Sequence, residues 1–415
     1  MSIHQPLIPD SVTIIDPLDS GHHTPYAIWM ARELVARGLQ VNLIGSARFI
    51  EAVSAEAEIS RSQVLSIYDG PIEQYHRSRV WKKEGYNFRF LRRALKIAAD
   101  FGSETIHLVY LDYFLPSAFL NVLLSRPRAR LFGTLHWTYF LPGSAASRWK
   151  NGRNLLHIWS LRRLLRGGMQ LQVHSHSFKP LLRELSGSDN VTHIPYPIEE
   201  PPADVQARAR ELRAGLQLQP DQRLILLFGG TRQDKGADLA LRLLARLPER
   251  YRLMIAGPAQ HFKADDIERM AREAGVQDRL YTNLNFIPHG EAESYFAASD
   301  VVLLPYRPVF SGQSGVLSVA ATLGVPVAAS DSGTMRETVE AYQLGEVFPC
   351  EDLDAMQAAV ERVVSQPYQG LTEQFRRDHS LEQFADQIVR HYRAEPELRP
   401  PVQGVAHAAK HRHLP

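Results

Sequence analysis

Two short loops in the second half of the chain carry residue types that could bind phosphate. In the first loop, the apolar run RLILLFGG is followed by TRQDKGADLAL, which places Arg232 and Lys235 after Gly229 and Gly230 and before a predicted helix. Glycines let a backbone approach a ligand closely, and a helix N-terminus favours negative charge. Two cations three residues apart can converge on a diphosphate, although a tight turn with solvated cations has the same pattern. The P-loop spacing, GxxxxGKS or GxxxxGKT, is absent.

The second loop, RPVFSGQSG, follows the apolar run VVLLPY and leads into the predicted helix VLSVAATLG. Ser314, Gly315 and Val316 would present backbone N–H groups at the start of this helix, beside the hydroxyls of Ser311 and Ser314. An ordinary N-cap at Ser314 is the alternative. Because two such loops occur in one predicted domain, a phosphate-bearing ligand is favoured over two unrelated turns.

Two residues of the first half could act on a hydroxyl group. His136 ends the predicted strand ARLFGTLH, and Asp112 ends the predicted strand TIHLVYLD. A neutral imidazole could orient or deprotonate a ligand hydroxyl, and a carboxylate at a neighbouring strand end could serve as a base. The alternatives are a histidine that caps its strand by hydrogen bonding and a buried structural aspartate.

Histidines in two further places could bind ligands. The turn DSGHHT offers Gly21, His22 and His23 for acceptor or phosphate contacts, with capping of the next helix as the alternative. The sequence HSH at 174–176 lies in a predicted strand, where alternate residues share a face. It is a candidate metal half-site, but no third ligand is apparent, so no metal is expected.

Strand-like runs alternate with helical segments along the whole chain, which predicts an α/β protein with parallel sheets. Both periods stop at PIEEPPADV, so the pattern favours two doubly wound, Rossmann-like domains that face each other across a cleft. We expect a first domain at 1–198, a linker at 199–206 and a second domain at 207–378. A C-terminal helix at 379–395 and a flexible tail at 396–415 would follow.

Charge is unevenly distributed, although the net charge is only +2. No Asp or Glu occurs between Tyr113 and Arg183, a segment with eleven Lys and Arg residues. Such a region attracts anions. Its segment SRWKNGRNLLHIWSLRRLLRGG, and the earlier RSRVWKKEGYNFRFLRRALK, mix apolar and basic residues as helices at an anionic membrane surface do. Surface helices packed on the sheet are the alternative, and no recognition motif supports nucleic acid.

The remaining composition indicates a soluble cytoplasmic protein, which the basic helices could place at the inner face of the cell membrane. The chain has one cysteine, Cys350, so it cannot form an internal disulfide. Its polar start does not resemble a signal peptide, and no apolar run reaches about 18 residues.

The second half resembles the nucleotide-sugar-binding domain of glycosyltransferase family 4, whose members have the two-domain GT-B fold. The matching elements are FGGTRQDKG, LMIAGP, NFIPHGEAESYFAASDVVLLPY and QSGVLSVAATLGVPVAASDSGTMRE, from about Leu224 to Cys350. The first half agrees only in general pattern. The resemblance implies that Arg232 and Lys235 hold the donor diphosphate and that Gln313 lies in the donor loop. It also implies that the domain at 1–198 binds the acceptor and the domain at 207–378 binds the donor. His136 and Gly21 would then lie near the donor, and no metal or other cofactor would be required.

Two departures from this family stand out. Most members carry a Glu, seven residues and a second Glu across the donor loop, whereas this chain has no Asp or Glu between Phe310 and Ser330. The usual Gly-Arg pair of the first loop is Gly229-Gly230, with the arginine at position 232. A subgroup of the family resembles this chain in its Arg-x-x-Lys-Gly and Gln-Ser-Gly-Val loops. The group that holds the ribose is left open.

The resemblance implies a retaining hexosyltransferase that moves a sugar from a nucleotide-sugar donor to a saccharide or lipid-linked saccharide, in surface polysaccharide or glycolipid assembly. The alternative is a catalytically inactive scaffold of the same fold that binds a nucleotide or glycan. A nucleotide-sugar epimerase or a phosphorylase is a more distant third reading.

Overall fold

The structure is a computed structural model that describes residues 6–18, 23–70, 72–138, 140–141, 152–288, 290–310 and 312–393. It divides into two compact units. The described part of the first unit runs to Pro197 and also takes in residues 312–313 and His379 to Arg393. The second unit comprises Ile198–Phe310 and Ser314–Asp378. Of the sequence-based assignments, Gly21, His22, Ser311 and the tail 396–415 lie outside the described residues.

The first unit is built on a parallel sheet of seven strands in the order β3-β2-β1-β4-β5-β6-β7. The strands are β1 Ile8–Asp16, β2 Gln40–Gly45, β3 Arg61–Val64, β4 Ser103–Leu108, β5 Arg130–Leu135, β6 Gln170–Val173 and β7 Val191–His193. The helices are α1 His23–Ala36, α2 Ala47–Glu56, α3 Ile72–Arg77, α4 Val80–Asp100, α5 Leu115–Ser125, α6 Gly152–Arg166 and α7 Phe178–Ser186. Val12 pairs with Val41 on one side and with Thr105 on the other, so the strand order reverses at β1 and β4.

The second unit repeats the scheme with six parallel strands in the order β10-β9-β8-β11-β12-β13. The strands are β8 Arg223–Phe228, β9 Tyr251–Ala256, β10 Leu280–Asn283, β11 Val301–Leu304, β12 Val327–Ser330 and β13 Gly345–Phe348. The helices are α8 Val205–Gly215, α9 Ala237–Arg246, α10 Ala264–Glu273, α11 Ala292–Ala297, α12 Gly315–Leu323, α13 Met335–Tyr342, α14 Leu353–Ser365 and α15 Thr372–Asp378. Its order reverses between β8 and β11, and the two glycine- and serine-rich loops follow these two strands. Such switch points are where doubly wound sheets bind ligands.

The last helix, α16 Leu381–Arg393, is part of the first unit. The hydroxyl of Tyr392 lies 2.7 Å from Nδ1 of the buried His107, and the ring of Phe384 packs edge-on against Tyr26. Just before the helix, Nδ1 of His379 donates to the carbonyl of Tyr196. The C-terminal helix therefore contributes to the core of the N-terminal sheet.

The sequence analysis was wrong about where two strands end. The run TIHLVYLD was read as a strand through Asp112, but β4 ends at Leu108 and Asp112 lies in a 3-10 helix, Leu111–Tyr113. Similarly, β6 ends at Val173, so HSH at 174–176 follows the strand and does not lie in it. The reason is that residues 109–112 and 174–175 are as buried as the strands before them, and sequence pattern alone cannot distinguish such a buried turn from a strand.

Candidate functional site

The first phosphate-binding candidate, the loop after β8, is a glycine turn enclosed by its neighbours. The N–H of Gly229 donates to the carbonyl of Ala256 over 2.8 Å. A Cβ atom at Gly230 would stand 2.6 Å from the end of the Gln260 side chain, so a larger residue there would have to displace that side chain. The backbone of Gln260 is held by a 2.8 Å hydrogen bond from its N–H to the hydroxyl of Thr231. The turn therefore keeps its backbone accessible at the end of β8.

Lys235 lies at the centre of this loop and is held by an aromatic residue of the second loop. Its ammonium group donates to the hydroxyl of Tyr306 over 2.8 Å and lies 4.6 Å from the ring centroid, a cation–π contact. Tyr306 is fully buried, and its hydroxyl lies 3.3 Å from the hydroxyl of Ser314. The contact thus ties Lys235 to the start of α12.

The two loops meet at one point. The position that a Cβ atom on Gly229 would occupy is 3.3 Å from Nζ of Lys235 and 3.9 Å from Cγ2 of Val316. Val316 is the second residue of α12, where helix amides have no intrahelical acceptor. A lysine ammonium and a helix N-terminus are therefore close together beside the half-buried backbone of Gly229.

Ser314 is an N-cap, the alternative that the sequence analysis left open. Its hydroxyl accepts the N–H of Leu317 over 3.3 Å. The cap satisfies one of the first amides of α12, while Gly315 and Val316 occupy the first two helical positions. Capping and anion binding are compatible here, because they use different amides of the same helix end.

Arg232, the other cation of this loop, is paired with a carboxylate of the same loop. Its guanidinium forms two hydrogen bonds to the carboxylate of Asp234, from Nε to Oδ1 (2.9 Å) and from NH2 to Oδ2 (2.7 Å). Burial by itself would raise the pKa of Asp234, but the hydrogen bonds and charge of Arg232 outweigh it, so the pKa lies below its usual value. The sequence analysis missed Asp234 as a partner, although it stands in the quoted loop.

Two residues of the donor loop belong to the first unit. Nε2 of Gln313 donates to the carbonyl of His174 over 2.8 Å. A Cβ atom at Gly312 would stand 3.2 Å from the ring of Trp137. The indole therefore restricts the space for a larger side chain at this position.

His136 directly follows β5 and lies in a cluster of rings. It stacks on Tyr110 with centroids 3.8 Å apart and meets Tyr26 edge-on at 4.8 Å. Its Nε2 lies 3.1 Å from the carbonyl of Val109, to which it can only donate. With Nε2 as the donor, a neutral His136 would exchange a proton with a hydroxyl through Nδ1.

Asp112 is linked to His136 through the backbone. Its Oδ1 accepts the N–H of His136 over 3.2 Å. Burial raises the pKa of Asp112 to about 7, and backbone hydrogen bonds only partly offset this effect. The carboxyl therefore positions His136, the residue after β5, and it changes between its neutral and charged forms near neutral pH.

His23, the described member of the DSGHHT turn, forms a pair with a carboxylate that the sequence analysis did not identify. Its Nδ1 lies 2.8 Å from Oδ2 of the fully buried Asp16, the last residue of β1. On its other side the ring stacks on Tyr110 at 3.5 Å. His23, Tyr110 and His136 thus form one stack at the carboxyl ends of β1, β4 and β5.

The HSH histidines diverge. Nδ1 of His174 lies 2.9 Å from the carbonyl of Ile194, and burial lowers the pKa of His174 to about 3. The ring of His176 meets His193 edge-on at 5.5 Å. Within the described residues, no group of three or more His, Cys, Asp or Glu side chains could hold a metal. None of the described helices is long and apolar enough to cross a membrane.

Comparison with known families gives a match to most of the second unit. Residues 209–379 match the family model described as "Glycosyl transferases group 1". This region contains both loops, from Gly229 to Val316.

Relatives with assigned names are glycosyltransferases. D-inositol 3-phosphate glycosyltransferase of Xylanimonas cellulosilytica is 32% identical over 33% of this chain and 33% of its own length. A GDP-mannose-dependent mannosyltransferase of Mycolicibacterium smegmatis that acts on phosphatidylinositol monomannoside is 31% identical over 40% and 44%. The matched regions thus span a third to less than half of these two relatives. D-inositol 3-phosphate glycosyltransferase of Thermomonospora curvata is 22% identical over 84% of both chains.

Solved structures match nearly the whole chain. Sucrose-phosphate synthase from Thermosynechococcus elongatus superposes with a TM-score of 0.70 over 92% of this chain and 98% of its own, at 19% identity. Anabaena Alr3699/HepE, solved in complex with UDP, gives a TM-score of 0.70 over 92% and 99%, at 14% identity. At sequence identities this low, the structural likeness establishes the fold alone. Residues 209–379 of this chain are therefore similar to the group 1 glycosyltransferase family, and the chain has the GT-B fold.

Proposed function

We propose that this protein transfers a hexose from a nucleotide-sugar donor to a hydroxyl of a saccharide or lipid-linked saccharide. The observation that carries the proposal is the convergence of Nζ of Lys235, the Gly229 backbone and the start of α12. A cation, open backbone and a helix N-terminus are the groups that stabilise a phosphate.

The same groups would lower the barrier of transfer. When the sugar leaves its donor, negative charge develops on the departing diphosphate. Lys235 and the first amides of α12 are preorganised to stabilise that charge, which is usually the largest single contribution to such catalysis. Arg232 would join them by exchanging the carboxylate of Asp234 for a phosphate oxygen. Since this chemistry needs no metal, a metal-independent reaction is part of the proposal.

The names of the relatives support the choice of substrates. One relative depends on GDP-mannose, and HepE was solved with UDP and with UDP-glucose. Others are named for phosphatidylinositol monomannoside or for lipopolysaccharide core biosynthesis. A role in surface polysaccharide or glycolipid assembly is consistent with these names. Retention of anomeric configuration is part of the proposal because the family resemblance implies it. NMR of the anomeric proton in the first-formed product would test the configuration.

An apolar face on the first unit supports a cytoplasmic protein that binds the inner surface of the cell membrane. Its six side chains are each 43% to 55% exposed: Leu120, Leu123, Leu124, Leu155, Leu156 and Trp159. They lie on α5 and α6, which are joined by the edge-on contact of Phe119 with Trp159 at 4.7 Å. The guanidinium of Arg163 lies 5.4 Å from the Trp159 ring, so cations border the face. Apolar and basic groups together suit an anionic lipid surface.

The inactive-scaffold alternative rests on the absence of both family carboxylates, since no Asp or Glu occurs between Phe310 and Ser330. At the position of the second carboxylate, Val319 has no ionisable group to hold a ribose. A scaffold could still bind a nucleotide, so binding and turnover have to be measured separately. Hydrolysis or transfer of the bound nucleotide-sugar would exclude the scaffold.

The testing experiment is a thermal shift series with UDP, GDP, ADP and their sugars. Binding at about 100 times the dissociation constant stabilises a protein by about 2.7 kcal/mol, which is easily seen as a rise in Tm. We expect one base to raise the Tm of the wild type and Lys235→Ala to abolish that rise. Arg272→Ala, which removes a cation that is 62% exposed on α10, serves as the control. No shift with any nucleotide, or an equal shift in the Lys235 variant, would contradict the proposed donor site.

A further inference from the structure

Arg307, which the sequence analysis did not single out, joins the two phosphate-binding loops. It directly follows Tyr306, the residue that holds Lys235. Its backbone N–H donates to the carbonyl of Asp234 over 2.8 Å, and its NH1 donates to the carbonyl of Gln233. Both acceptors precede Lys235 in the first loop. One residue of the second loop therefore binds the first loop through both its backbone and its side chain.

The guanidinium of Arg307 is also held by two carboxylates. It forms a bidentate pair with Asp238 in the first turn of α9, with distances of 3.1 Å to Oδ1 and 2.7 Å to Oδ2. Its Nε donates to Glu351 over 3.0 Å. The hydrogen bonds to Asp238 contribute most to raising the pKa of Arg307. Since the side chain is only 19% exposed and all three nitrogens are engaged, it is placed to position other groups and not to bind a phosphate itself.

The backbones of the two loops touch at the same place. A Cβ atom on Gly236 would stand 2.3 Å from the carbonyl oxygen of Pro305. The first loop is thus fixed on both sides of Lys235, by Arg307 before it and by Pro305 after it. A planar guanidinium can hold a carboxylate and carbonyls at once in a fixed geometry, which a lysine cannot do.

We propose that Arg307 is a positioning residue for the donor diphosphate, which holds the loop after β8 in register with the loop after β11. In this register Nζ of Lys235 and the first amides of α12 face the same phosphate group. The inference rests on the proposed function, because it assigns Arg307 a task in that site. It also explains why a bidentate side chain is used where no ligand contact is available.

The competing role is structural: the ion pairs of Arg307 could stabilise the unit without affecting the ligand. Such a role would lower the Tm of a variant but leave nucleotide affinity unchanged below the unfolding transition. A positioning role affects the diphosphate specifically. It also acts through Lys235, so the two residues should not contribute independently to binding.

The test compares Arg307→Ala and Arg307→Lys with Arg246→Ala. Arg246 lies at the other end of α9 and pairs with Asp354 over 2.6 Å, so it is a matched loss of an ion pair. The measurement is the dissociation constant, well below every Tm, of whichever of UDP, GDP and ADP binds the wild type, and of the corresponding nucleoside. Asp238→Asn provides a milder disruption should Arg307→Ala fail to fold.

We expect Arg307→Ala to weaken nucleoside diphosphate binding about tenfold, as loss of a charged hydrogen-bonding contact does, with no effect on the nucleoside. Arg307→Lys should restore little of this loss, and Lys235→Ala combined with Arg307→Ala should cost less than the sum of the single effects. Equal affinities in Arg307→Ala and Arg246→Ala, or additive effects with Lys235→Ala, would overturn the inference alone. A wild type that binds no nucleotide would overturn the proposed function and this inference with it.

Discussion

Arg232 and Asp234 form a bidentate ion pair two residues apart, with both nitrogen–oxygen distances below 3 Å. One of the two cations expected to bind a diphosphate is thereby paired with a carboxylate of its own loop. Lys235, in contrast, donates to the neutral hydroxyl of Tyr306. The two cations consequently differ in what a phosphate must displace in order to reach them.

This relationship predicts the effect of Asp234→Asn. Because the carboxylate competes with phosphate for Arg232, we expect the variant to bind the nucleoside diphosphate about three times more tightly at low salt, with the gain shrinking as salt screens the charges. The Tm should change little, since an ion pair with an arginine side chain that is 40% exposed contributes only about 0–1 kcal/mol. Isothermal calorimetry at two salt concentrations measures this. Weaker binding would show instead that Asp234 orients Arg232 for the ligand.

The close approach of the two loops predicts the effect of Gly236→Ala. Gly236 has φ +70°, and its added Cβ would also meet the Pro305 carbonyl. Gly275→Ala is the matched control, because Gly275 has φ +69° with nothing within 4 Å. Both variants should lose about 1–2 kcal/mol through the left-handed backbone. Only Gly236→Ala should lose more stability than this and also bind nucleotide more weakly, as chemical denaturation and calorimetry would show. Equal losses in the two variants would contradict the contact.

The comparison of sequence and structure shows which relationships a pattern can reveal. Alternating apolar runs and helical segments identified both sheets, because burial of parallel strands constrains every residue in them. Glycines and the small residues before α12 located the two loops. The partners of individual side chains were not predictable: Asp234 for Arg232, Asp16 for His23 and Tyr306 for Lys235. These pairs depend on how separate turns are placed, to which composition and periodicity are insensitive.

The raised pKa of the buried Asp112 carboxyl predicts how stability depends on pH. A variant at this position also tests the suggested role of Asp112 as a base. Burial raises its pKa to about 7, so its contribution to stability is present below about pH 4 and is lost as pH rises through 7. Asp112→Asn keeps an oxygen that can accept the His136 N–H, so we expect it to become more stable relative to wild type between pH 4 and 7. Urea unfolding across this range measures the difference. Transfer activity of Asp112→Asn should persist if the carboxyl only positions His136. If Asp112 is the base, the variant should lose a factor of about 100 or more in transfer rate.

The lowered pKa of the buried His391 predicts the opposite dependence of stability on pH. Burial lowers its pKa to about 4, and its Nε2 has no hydrogen-bond partner within the described part of the chain. The unfolded chain therefore binds a proton that the folded one does not between about pH 6.5 and 4, and stability falls as the pH is lowered through this window. We expect His391→Leu to weaken this fall, with the exposed His261→Leu behaving like wild type. An unchanged slope of urea midpoint against pH in His391→Leu would contradict this account.

The apolar face on α5 and α6 predicts binding to anionic vesicles. We expect the wild type to sediment with vesicles of phosphatidylcholine and phosphatidylglycerol, not with phosphatidylcholine alone, and to dissociate in high salt because the bordering cations contribute. Leu124→Ser combined with Leu156→Ser should weaken binding at least about tenfold, since each burial of such a side chain contributes about 1.5–3 kcal/mol. Phe286→Ser removes a side chain that is 76% exposed on the second unit and should have no effect.

Light scattering distinguishes the other occupant of this face, a second copy of the chain. Two faces bordered by cations repel each other, so we expect the wild type and the double variant to have the same mass in solution. A doubled mass in the wild type that is lost in the double variant would assign the face to a dimer. Equal vesicle binding by the wild type and the double variant would remove the face from the membrane contact. The basic residues of the 113–183 segment and of α4 would then remain as candidates for a lipid interaction.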